Sequence, residues 1–69
     1  MYRQYLLQSG QRQTTGWIDT DKPLRKGQRL TTKEHGPQMI WTVARAGRLE
    51  VAAPPDQRWR VGGIVDPPR

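Results

Sequence analysis

The sequence predicts an all-β fold, a small barrel of five to six short antiparallel strands. Three observations predict it. Segments rich in β-branched and aromatic residues recur at close spacing along the chain. Glycines and prolines punctuate those segments, and no stretch carries a helical period longer than one turn.

The central stretch is Gly27–Ala46, GQRLTTKEHGPQMIWTVARA, which reads as a hairpin. Its first arm is Gln28–Glu34, its second Gln38–Ala46, and its turn His35-Gly36-Pro37. Alternation along the second arm puts Met39, Trp41 and Val43 on one face and Ile40, Thr42 and Ala44 on the other.

Before this hairpin, Tyr2–Gln8 reads as a strand with Tyr2, Gln4 and Leu6 alternating against Arg3, Tyr5 and Leu7. Ser9-Gly10 is a turn signal, and Gln11–Ile18 runs back. Gly16 inside that return predicts a bulge or a close backbone approach at Trp17. Asp19–Lys26 is a loop in which Leu24 is the plug, with Asp19 and Asp21 making local turns or pairing with Lys22 and Arg25. Pro23 holds Lys22 extended.

After the hairpin, Gly47 permits a sharp bend, and Arg48–Ala52 alternates Leu49 and Val51 inward. Pro54-Pro55-Asp56 is a rigid turn. Gln57–Val61 alternates Trp59 and Val61 against Arg58 and Arg60, and Gly62-Gly63 permits another bend. Ile64-Val65 is expected to close the barrel on the first strands. The domain is placed at residues 1–65, with 66–69, DPPR, as a frayed, flexible tail.

A chain of 69 residues holds one core at most, so its large apolar groups belong inside. With three Trp and no Phe, the indoles of Trp17, Trp41 and Trp59 carry much of that core. The absence of Cys excludes a disulfide framework and any Cys-based zinc site. No apolar run reaches the ~18–20 residues of a membrane span, and Tyr2–Gln8 is too short and polar for a signal peptide. The expectation is a cytoplasmic protein, monomeric or weakly dimeric, with no membrane partner.

The charge is +6, from twelve Lys and Arg against six Asp and Glu. Ten of the twelve fall between Arg12 and Arg60, which places the charge on the folded body. Such a surface draws anionic partners, either nucleic acid or the acidic face of a protein. Nine of the twelve are Arg, the residue suited to bidentate contacts.

Little here points to a reaction. The chain has one His and one Ser. His35 falls in the expected turn, where a solvated imidazole is the default, and Ser9 falls in another turn. Asp19 and Asp21 at i, i+2 lack the other ligand positions of a calcium loop, and Gly62-Gly63 lacks the Lys and helix of a phosphate loop. The expectation is no enzyme, no catalytic residue, no metal, no cofactor and no small-molecule substrate.

Binding has more to work with. Arg58-Trp59-Arg60 would be a stacking platform flanked by cations if Trp59 faced outward; inward, which alternation favours, it leaves a basic stripe. Arg25, Lys26 and Arg29 form a second cluster, and Arg45 and Arg48 bracket Gly47. Tyr2 and Tyr5, near the start of the chain, are further candidate contacts.

The segment GWID…PLRKGQRLTTK…WTV, within residues 16–45, resembles small uncharacterised proteins encoded by bacteriophages and prophages. The matching positions are Trp17, Leu24, Gly27, Leu30, Trp41 and Val43. The resemblance implies an SH3-like β-barrel. It also implies a phage-type accessory protein that docks on a host protein such as one of the transcription or nucleic-acid machinery; direct nucleic-acid binding through the basic surface is the alternative, and a structural virion component is third. Fold analogy alone does not supply function.

Overall fold

The computed structural model describes residues 1–20 and 22–65, so Asp21 and the expected tail at 66–69 lie outside the described residues. The fold is all-β: a six-stranded, nearly closed, SH3-like barrel. The strands are β1 (Tyr2–Ser9), β2 (Arg12–Ile18), β3 (Arg29–Thr32), β4 (Gly36–Glu50), β5 (Arg58–Trp59) and β6 (Val61–Val65), with a 3₁₀ turn at Pro55–Gln57 before β5. The sheet order is β5-β2-β1-β4-β3-β6. The two outermost strands are thus neighbours in the chain, joined at Arg60, and the chain itself carries the sheet from one edge to the other.

β1 and β2 pair antiparallel in a single register from Arg3↔Ile18 to Ser9↔Arg12. Their two-residue connection is Gly10-Gln11, and Gly10 takes φ +62° while, among the described residues, no non-glycine residue has a positive φ. That combination is a type II′ turn, whose twist matches the flanking strands and which calls for Gly at its first central position. A second tight turn precedes β3. The Gln28 amide donates to the Arg25 carbonyl at 3.0 Å, and Gly27 has φ +87°, the value a type II turn needs at its third residue. The Gly27 amide then donates to Val43 O at 2.7 Å, which starts the β3–β4 ladder.

The core follows the expected alternation through most of its length. Tyr5 and Leu7 of β1, Ile18 of β2, Leu30 of β3, and Trp41 and Val43 of β4 form one buried cluster, with Met39, Trp59 and Val61 packed against it. Leu24 completes it from the 19–28 loop, as the sequence predicts. The Leu24 amide donates to the Tyr5 hydroxyl at 3.0 Å, which satisfies the polar end of a buried ring.

Several expectations are corrected. The β3–β4 turn is Lys33–His35, because Thr32 pairs with Gly36, so Gly36 and Pro37 already belong to β4. Gly47 does not end a strand: β4 continues through it for 15 residues. The strand adjusts through two register shifts against β1, one leaving Ala44 extra between Val43 and Arg45, the other opposing Gln4 to both Gly47 and Arg48. Leu49 does take the inner-face register, opposite Arg3, but remains 43% exposed, and Val51 is 80% exposed. Leu49 lies at the mouth of the barrel, and Val51 follows the end of β4. Gly62-Gly63 lies within β6. β6 pairs with β3, not with the first strands, because both edges of β1 are already taken by β2 and β4. Asp19 pairs with the N-terminal ammonium at 3.5 Å.

Trp17 is the largest departure. It is 4% exposed, yet it does not belong to the central cluster. Its cross-strand partner is Gln4, whereas core residue Tyr5 pairs with Gly16 and core residue Ile18 with Arg3. Cross-strand partners share a face, so Trp17 lies on the outer surface of the sheet, opposite Trp41 and Val43. Gly16 makes no bulge, since the β1–β2 register is unbroken. The close approach it permits is that of Trp59: a Cβ at position 16 would fall 2.9 Å from the indole ring.

Candidate functional site

The outer face of β4, β1, β2 and β5 collects much of the chain's chemistry. Reading across the strands, one row is Arg45, Leu6 and Thr15, the next is Gly47 with Arg48, Gln4, Trp17 and Arg58, and the last is Glu50 with Tyr2. The Ala44 bulge creates this arrangement. In strict alternation with Trp41 and Val43, Arg45 would point into the core; the extra residue turns it outward beside Leu6.

Two of these arginines lie over aromatic rings. The Arg48 guanidinium carbon is 5.9 Å from the Trp17 ring centre, and that of Arg58 is 5.1 Å from the Tyr2 ring centre. Each is also fixed by a second bond. Arg48 Nε lies 3.3 Å from Glu50 Oε1, and Arg58 Nε donates to Ala53 O at 2.7 Å. A guanidinium stacked on a ring keeps the N–H groups at its edge available and has lost part of its rotational freedom before any partner arrives. Between the rows, Gln4, Leu6, Thr15, Arg45 and Gly47 line a hollow of about 130 Å³. A Cβ on Gly47 would meet Gln4 Oε1 at 2.9 Å, so the missing side chain keeps this part of the face open.

The predicted contact residues therefore divide. Tyr2, Arg45, Arg48 and Arg58 come together on this face. Arg29 shares the outer surface one strand beyond β4, opposite Thr42. Arg25 and Lys26 stand on the type II turn, exposed, with the turn clamped by the Gln28 side chain accepting from the Arg25 amide at 3.0 Å.

One candidate is withdrawn, and a second is found paired within the chain while its side chain stays 75% exposed. Tyr5 has no exposed surface, because β4 and the 19–28 loop cover it, so it touches no partner of the folded chain. Arg60 is engaged by Glu34: its amide donates to Oε1 at 2.6 Å and its Nε to Oε2 at 3.0 Å. Burial alone would raise the Glu34 carboxyl, but the Arg60 amide, the Arg60 guanidinium and Glu34's own amide together hold it below its ordinary value.

His35 is exposed, as its turn position predicts, but its imidazole is also held by the fold. Its ring packs edge-on against Trp59 at 4.4 Å and Trp41 at 5.1 Å between centres. Nδ1 lies 2.7 Å from the hydroxyl of Thr32, which also accepts the His35 amide at 3.2 Å. Trp59 takes the inward position, half-buried against Trp41, and so offers no platform to a base.

Sequence reasoning missed the outward Trp17 and its guanidinium cover. One signal could have found it. Gly16, Trp17 and Ile18 are consecutive, and two large apolar neighbours in a strand cannot share a face, so one of them had to be covered from outside. Comparison with family models, with curated proteins and with solved structures finds no match to the chain.

Proposed function

We propose that this protein is a non-enzymatic binding module whose outer face docks on an acidic surface of a partner protein. The observation that carries the reading is the pair of ring-stacked guanidiniums, Arg48 over Trp17 and Arg58 over Tyr2, beside the exposed Arg45. Pre-positioned forks of this kind suit carboxylates, and Glu50 already occupies one of them from within the chain. The phage-type resemblance over residues 16–45 makes the partner a host protein. Direct nucleic-acid binding is the second reading, favoured by the net charge. Against it, non-specific single-strand binders need bare aromatic rings for stacking, and here Trp17 is buried and Tyr2 lies beneath Arg58.

The test is affinity purification from host lysate at low and at high salt, with Arg45→Glu as the comparison. Arg45 projects from the sheet, so its reversal alters the face without opening the core. The expected result is one dominant, stoichiometric protein that is lost at high salt and lost with the variant. Nucleic acid retained in its place, with affinity falling steeply in salt, selects the second reading. Retention unaffected by Arg45→Glu overturns the assignment of this face.

A further inference from the structure

The barrel has a second feature, separate from the outer face. At the end formed by the β1–β2 turn and the β3–β4 turn, Arg12, Gln13, Thr14, His35 and Trp41 line a mouth of about 290 Å³. Arg12 and Thr14 stand in register with Ser9 and Leu7, which puts them on the inner face of β2, looking into the barrel. Each of the five side chains can donate a hydrogen bond, and no carboxylate is among them.

His35 fits the same pattern. The Thr32 hydroxyl oxygen accepts the His35 amide, and Thr32 is buried. Its hydrogen is satisfied by donating to Nδ1, 2.7 Å away. That assignment places the ring proton of the neutral imidazole on Nε2, which makes the free nitrogen a donor.

Trp41 supplies the independent observation. The residue is 2% exposed, and among the described residues its Nε1 is the buried side-chain nitrogen or oxygen without a hydrogen-bond partner. Buried polar groups are ordinarily paired, and an orphan calls for an acceptor that the chain does not itself provide. That acceptor-seeking N–H belongs to a residue lining a mouth otherwise made of donors.

We infer that this mouth is a binding site for a carboxylate group, held by Arg12 and by the indole N–H of Trp41. A carboxylate is chosen over a phosphate because Arg12 is the one permanently charged group in the lining. No other lining residue carries a permanent charge, which matches a ligand of charge −1 better than one near −2. The carboxylate could come from a chain terminus or from an acidic side chain, and the chemistry of the mouth is the same for both.

The experiment follows the three indole N–H resonances of the ¹⁵N-labelled protein at constant ionic strength. The Trp41 signal is identified by elimination, using Trp17→Phe and Trp59→Phe. Four probes are titrated: N-acetylglycine for a terminal carboxylate, N-acetylglutamic acid α-amide for a side-chain carboxylate, N-acetylglycinamide as the neutral control, and inorganic phosphate. The expected result is a saturable downfield shift of the Trp41 signal with one or both carboxylates, in roughly the millimolar range for so small a ligand, and none with the neutral amide. The stronger of the two carboxylates identifies the source. Arg12→Gln is expected to weaken binding about tenfold, the loss of one charge-assisted contact. An unmoved Trp41 signal overturns the inference. So does phosphate binding more tightly than either carboxylate, or Arg12→Gln binding as well as the parent. Arg12 lies outside the Arg45–Arg48–Arg58 face, so failure here leaves the docking face standing, and the reverse holds too.

Discussion

Arg60 and Glu34 show how a single pair can reverse what a charge count suggests. By composition Arg60 is one more cation available to a partner; in the fold, its guanidinium and its amide both serve the same carboxylate. Because the folded Glu34 carboxyl is held below its ordinary value near 4.5, its contribution to stability is fully present above the ordinary carboxylate range. That contribution is lost as the pH falls through the lowered folded value. Glu34→Gln is therefore expected to be less stable than the parent at neutral pH, with the gap narrowing as the solution is acidified below the ordinary carboxylate range. Urea midpoints of both proteins across that range measure it, and a gap independent of pH contradicts the electrostatic account. None of this was legible in the sequence, since the partners lie 26 positions apart and meet only because Lys33 also donates to the Arg60 carbonyl at 2.9 Å. Tyr5 is a gentler case. Alternation placed it with Leu7 correctly, while its nearness to the chain start suggested a surface role that the covering loop removes.

At the scale of elements, the strand formers bounded by turn signals were readable: β1, β2, and the β3–β4 pair with Trp41 and Val43 inward. What sequence could not show is where β4 slips. A bulge adds a residue without changing composition, so beyond Ala44 the period-two rule assigns every side chain to the wrong face until the next bulge corrects it. Arg45 and Ala46 lie in that stretch, and the second bulge at Gly47 and Arg48 restores the phase by Leu49. Seam β2–β5 was equally hidden, being a two-residue parallel contact of Trp17 with Arg58 and Ile18 with Trp59. Gly16 makes it possible, because the Trp59 indole occupies the space a side chain would take. Trp41 and His35 lie against its other sides and limit how far the indole can shift. Gly16→Ala is expected to cost about 1–3 kcal/mol, the range for overpacking a filled site. Chemical denaturation followed by fluorescence gives the value; a neutral outcome means the seam tolerates displacement of Trp59.

For the molecule as a whole, closure has a consequence for how it unfolds. β5 and β6 hold opposite ends of the sheet order but are consecutive in the chain, so neither edge can open without pulling on the other through Arg60. The radius of gyration is 11.1 Å, close to the ~11 Å expected of a compact chain this long. There is no cysteine to hold a partly opened form together, and the main cluster draws on β1, β2, β3 and β4 at once. No subset of strands keeps a core of its own. Unfolding is therefore expected to be a single transition in which far-UV circular dichroism and tryptophan fluorescence share one midpoint. The indoles make this a demanding comparison, because Trp17 reports the outer face while Trp41 and Trp59 report the interior. Were Trp17 to lose its cover before the sheet melted, fluorescence would move at lower denaturant than circular dichroism. The outer face would then be an independent layer, and the guanidiniums over Trp17 and Tyr2 would not be held by the barrel in the way docking requires. Coincident curves instead tie the binding face to the core, so that any substitution loosening the barrel weakens partner binding in proportion to the fraction unfolded.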